Sequence, residues 1–160
     1  GRRGGGVGAG GGERGLGESG PGGALRGGRA AHEATQKASS ADVAALETLH
    51  QRLQQCASEG RIPAYYAANH AIHEAFITLA DNRWLAQVIG DLRKILRLAR
   101  LQQLHAPGRL QQSLAEHLAV FAALKAGDSA AAEDAMRTHL LRQRDALRDV
   151  ARNQQSRLTP

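Results

Sequence analysis

The sequence predicts an all-α protein, an antiparallel bundle of about six helices. Three observations carry that expectation. Apolar residues recur at spacings of three and four from about residue 30 onward. Gly, Pro, Asn and Asp interrupt the pattern at short intervals. No segment alternates apolar and polar residues for long enough to form a strand. Short connections make consecutive helices antiparallel neighbours that bury their apolar stripes against one another.

The first helix is expected from about Ala24 or Arg29 to Ala38, weakly patterned. Ser39, with Asp42 three residues on, reads as a capping box that opens a second helix bearing Val43, Leu46, Leu49 and Leu53, with Gly60 as its C′ residue. Ile62-Pro63 turns into a third helix over about 64–80. Asp81-Asn82 ends it and caps a fourth, about Arg83 to Gln103, carrying Leu85, Val88, Ile89, Leu92, Ile95, Leu96 and Leu98. Pro107-Gly108 punctuates the chain before a fifth helix over about 109–126. Gly127 stops that helix, and Asp128 or Ser129 caps a sixth that continues to about Asn153.

Composition narrows the function classes. The chain has 160 residues, 42% of them hydrophobic, which suits one domain of ordinary size. Fifteen of the 19 glycines lie in residues 1–30, so residues 1–29 are expected to be a disordered Gly-rich leader and residues 30–155 the folded domain. The single Cys56 excludes a disulfide framework and a cysteine-rich zinc site. With no signal-like or membrane-spanning apolar run, a cytoplasmic protein is expected, with no membrane partner. The net charge of +6 first suggests a nucleic-acid binder. Half of it belongs to residues 1–40, however, and an aromatic content of 3% supplies no base-stacking platform. The leader also lacks Arg-Gly-Gly repeats with interleaved aromatics.

The informative residues are polar ones standing on apolar stripes. In the fifth helix Leu110, Leu114, Phe121 and Leu124 form a seam with His117 at its middle. The third helix carries Asn69 and His73, one turn apart, on the face of Tyr65, Ile72, Phe76 and Ala80. In the sixth, His139 lies among Ala132, Ala135, Met136, Leu140 and Leu147. His117 precedes Gly127 by ten residues and His139 follows it by twelve. At about 1.5 Å per residue both sit roughly 15–18 Å from the turn and can face each other across the hairpin. Three imidazoles and an amide oxygen suit a transition-metal site with positions left for water or a ligand oxygen. Against this, a single His on an apolar stripe is more often a core residue bonded to a backbone carbonyl. His32, His50, His70 and His105 receive no support of this kind from the pattern.

Four blocks then carry a resemblance: Asn69-His70-Ala71-Ile72-His73, Ala80-Asp81-Asn82, SLAEHLAVFAALKAGD over 113–128, and AMRTHL over 135–140. In this order and spacing they resemble the FCD effector domain of GntR-family transcription regulators, FadR subfamily, over about residues 30–153. The resemblance implies a sensor domain rather than an enzyme. It implies a divalent metal ion, zinc, nickel or manganese, on Asn69, His73, His117 and His139, with Asn in place of the more usual Asp at 69. It also implies a small carboxylate effector beside the ion and a homodimer. Among the basic residues of the fourth helix, Arg93, Lys94, Arg97 and Arg100, the mid-helix Arg97 is the candidate to meet the effector, and Tyr65 is a candidate to line its cavity. Full-length relatives place a winged helix-turn-helix before this bundle. Here a glycine-rich stretch stands there, so DNA contact is expected only through a winged-helix domain not present in the chain. The usual start of the first helix looks damaged at Ala24-Leu25-Arg26-Gly27-Gly28. Two other readings stand beside this one: a helical-bundle metalloenzyme, and a structural bundle with core histidines and no ion.

Overall fold

A computed structural model of the chain describes residues 21–158, apart from the side chains of residues 21, 84, 85, 88, 89, 91 and 92. Among the described residues there are seven α-helices and no strand: α1 (Pro21–Lys37), α2 (Ser40–Ser58), α3 (Ile62–Ala80), α4 (Arg83–Ile95), α5 (Arg97–Leu104), α6 (Arg109–Lys125) and α7 (Ser129–Leu158). Residues 1–20 of the expected leader lie outside the described residues.

The helix boundaries follow from local chemistry. Ser39 caps α2 through the full capping box: its Oγ accepts from the Asp42 amide at 3.2 Å, and the Asp42 carboxylate accepts from the Ser39 amide at 2.8 Å. Pro63 sits in the first turn of α3, where its missing N–H removes no helical bond. Asp81 ends α3 in the left-handed region at φ 55°. Gly127 turns the chain between α6 and α7 at φ 68°, and the Asp128 side chain caps α7 by accepting from the Ala131 amide at 3.0 Å.

Two expectations are corrected. The fourth helix is not continuous: Leu96 leaves the α-helical region at φ −90°, ψ 3°, and divides it into α4 and α5. The first helix starts at Pro21, ahead of the expected Ala24 or Arg29, and buries Ala24, Ala30, Ala31 and Ala34. Its glycines are contact residues. A Cβ on Gly27 would lie 2.2 Å from Leu140 Cδ1, and one on Gly28 would lie 3.1 Å from the Glu133 carbonyl oxygen. The pair thus lets the backbone of α1 approach α7 more closely than side-chain-bearing residues would allow.

The core forms where α1, α2, α3, α6 and α7 meet, around Leu46, Leu53, Tyr65, Ile72, Phe76, Val120, Phe121, Leu124 and Met136. Burial of each large apolar side chain contributes about 1.5–3 kcal/mol. The same packing brings the inner faces of α3, α6 and α7 together at one level of the bundle.

Candidate metal centre

Asn69 and His73 come from α3, His117 from α6 and His139 from α7, and all four are buried. The structure brings the three imidazoles together. Ring centroids are 4.4 Å apart for His117 and His139, 5.0 Å for His73 and His117, and 5.3 Å for His73 and His139. One nitrogen from each of the three lies within 4.8 Å of the others. The register inferred from the positions of His117 and His139 about Gly127 is therefore the register of the α6–α7 hairpin.

Glu116 determines which nitrogen of His139 is free. Burial raises the carboxyl pKa, but the bond to His139 and the charge of Arg109 outweigh it and hold the group below the usual carboxylate value. As an acceptor-only carboxylate it takes a proton donated by His139 Nδ1, at 2.6 Å from Oε2. The Nε2 lone pair of His139 then faces His73 Nε2 at 3.3 Å. Two nitrogens bound to one tetrahedral ion at about 2.0–2.1 Å are themselves about 3.3 Å apart. His117 Nε2 and Asn69 Oδ1 are buried without a hydrogen-bond partner. Burial holds the pKa of His73 and His117 well below the ordinary histidine value, reinforced for His73 by the Arg93 charge and for His117 by that of His139. Burial also lowers His139, partly offset by its bond to Glu116. Neutral imidazoles with converging nitrogens and a buried amide oxygen without a hydrogen-bond partner fit a borderline divalent ion.

The surrounding layer was only partly foreseen. Glu116 and Arg109 lie seven residues apart on one face of α6 and are both buried, with Arg109 Nη1 and Nη2 bonding the carboxylate at 3.2–3.3 Å. On α6 the Glu116 side chain is directed toward α7 and His139. The sequence signal was limited to opposite charges at i and i+7, with Glu116 beside His117 in the 113–128 block. Tyr65 is fully buried, donates to Ser113 Oγ at 2.9 Å, and has its pKa pushed up to about 12 by burial.

The structure places Arg97, the sequence candidate for the effector, at an exposed position, the first after the break at Leu96. Arg93 and Arg100 are the inward guanidiniums, 5% and 7% exposed. Arg100 donates to Gln143 Oε1 at 2.9 Å, and Arg93 Nη1 lies 3.4 Å from His70 Nδ1. In an unbroken helix residues 93, 97 and 100 would share a face. The interruption turns the middle one outward. His50 is also buried, its Nδ1 bonded to the Leu46 carbonyl at 2.7 Å and its ring stacked on Phe121, so the plain core-histidine reading describes it.

The fold is an all-α bundle with a buried histidine cluster in its core and buried arginines in the same bundle. The chain belongs to the FCD domain family: the family model for the FCD domain matches residues 27–142. FCD domains are the effector-binding, regulatory domains of GntR-family regulators, some of which bind metal and which typically dimerise. No curated protein matches the sequence. No helix among the described residues is long and apolar enough to cross a membrane.

Proposed function

We propose that this chain is the effector-sensing domain of a GntR-type transcription regulator, holding one divalent ion on Asn69, His73, His117 and His139 and a small carboxylate beside it. The observation that carries the reading is the convergence of three buried imidazole nitrogens within 4.8 Å; Asn69, one turn before His73 on α3, adds a buried amide oxygen without a hydrogen-bond partner. When bound, the ion supplies a Lewis-acidic positive charge to which a carboxylate oxygen can be attached.

The chain's own residues favour an anionic ligand. The four coordinating groups are uncharged, so they leave the charge of the ion uncompensated. Among the described residues, the buried charged groups are Arg93, Arg100, Arg109 and the single carboxylate Glu116. Arg109 bonds Glu116, Arg100 bonds Gln143 and Arg93 lies against His70, and the charges of Arg93 and Arg100 also bear on His73. Arg93 and Arg100 therefore replace Arg97 as the side chains to orient a carboxylate, and Tyr65 braces the adjoining layer through Ser113. Zinc, nickel and manganese are the ions to test, and a homodimer is the expected assembly.

Metal analysis of the purified protein, with His117→Ala alongside, tests the reading. One ion per chain in the wild type and its loss in the variant are expected. An ion-free wild type whose melting temperature does not respond to zinc, nickel or manganese overturns it.

A further inference from the structure

We propose that Glu116 is the positioning residue of the metal centre, setting its affinity for the divalent ion through His139 without touching the ion. The inference rests on the metal reading above and adds to it a source for the negative charge that Asn69 does not provide.

Three features of the geometry carry it. First, the 2.6 Å bond from His139 Nδ1 to Glu116 Oε2 holds the ring in the tautomer whose Nε2 lone pair points at His73. A carboxylate accepting from the far nitrogen of a ligating imidazole also makes that imidazole a stronger donor. Second, Glu116 is itself anchored. Arg109 grips both carboxylate oxygens, and Arg109 is in turn held by Gln103 Oε1 at 2.9 Å and Gln112 Oε1 at 3.2 Å. Third, with its side chain 3% exposed, Glu116 is the one buried carboxylate among the described residues, so its charge is little screened by water. Arg109 offsets part of that charge, and Arg142 Nη1 approaches Oε1 at 3.6 Å from the surface.

A purely structural role, in which Glu116 only neutralises Arg109, makes a different prediction. The test uses metal-free protein titrated with Zn2+ and Ni2+ by calorimetry, for the wild type, Glu116→Gln, and the double variant Glu116→Gln/Arg109→Met, which removes the ion pair as a unit. In parallel, long-range 1H–15N spectra of the metal-free wild type and of Glu116→Gln report the His139 tautomer. The expected result is a single Nδ1–H tautomer in the wild type, a mixture in Glu116→Gln, and a loss of metal affinity of about 10–100-fold in both variants. The double variant should melt closer to the wild type than the single variant does, without regaining affinity. Wild-type affinity in either variant, or an Nε2–H tautomer of His139 in the wild type, overturns the proposal while leaving the metal site standing. A wild type that binds neither ion overturns both. Should Glu116→Gln fail to fold, the double variant and the wild-type tautomer still decide.

Discussion

At His73 and His117 the same burial that favours the neutral imidazole over the cation also ties the fold to pH. Unfolded, each imidazole protonates near 6.5, whereas folded it does so only well below that value. Acidification therefore loads protons onto the unfolded chain first, and stability falls as pH drops below about 6.5, by up to about 1.4 kcal/mol per pH unit for each such histidine. Glu116 works in the same direction lower down: its depressed pKa stabilises the fold above the ordinary carboxylate range and loses that contribution as pH falls through its folded value. Urea titrations of the metal-free protein at pH 7 and pH 5.5 should show the lower midpoint at pH 5.5, and equal midpoints would contradict the burial of neutral imidazoles. Asn69, His73, His117 and His139 were legible in the sequence because each stands where a helical stripe calls for an apolar residue. Glu116 was not, because periodicity places a charged residue on a face without saying whether another helix covers that face.

Among the elements, α1 shows how composition misleads. Glycine lowers helix propensity by about 1 kcal/mol per residue relative to alanine, so Gly22, Gly23, Gly27 and Gly28 read as the end of a leader. Packing against α7 overrides that preference, since a Cβ at Gly27 or Gly28 would crowd Leu140 or Glu133 of α7. Substituting Gly28→Leu should destabilise the domain by about 1–3 kcal/mol, despite leucine's better propensity, because the side chain would be driven into the α7 backbone at Glu133. A denaturation midpoint at or above the wild-type value would show that α1 does not depend on this contact. At the start of α2, by contrast, local sequence is sufficient: Ser39 and Asp42 satisfy each other's amides with no help from the rest of the fold, and Ser39→Ala should cost about 1 kcal/mol in the same measurement. The break at Leu96 carries neither Gly nor Pro, which is why the run from Arg83 to Gln103 read as one helix.

For the molecule as a whole, an ion held on three helices as proposed would couple metal binding to folding, because the residues of α3, α6 and α7 come together only in the packed bundle. Free ion at about 100 times its dissociation constant should stabilise the domain by about 2.7 kcal/mol. Thermal melts with and without zinc or nickel read that gain directly. His117→Ala should still melt cooperatively without metal but gain nothing from its addition. A wild type and variant that respond equally would place the ion elsewhere on the molecule.

The sequence by itself determined the all-α class, the turns at Gly60, Asp81, Gly108 and Gly127, and the three histidines and one asparagine on the inner faces. Those features are local: period, caps and breakers act within a few residues of chain. Only the tertiary structure decided that α1 begins at Pro21, that Arg93 and Arg100 rather than Arg97 turn inward, and that Glu116 bonds His139. Each of these depends on how close two helices approach and at what angle. Side-chain packing between residues distant in the chain sets that approach, and no stretch of sequence encodes it alone.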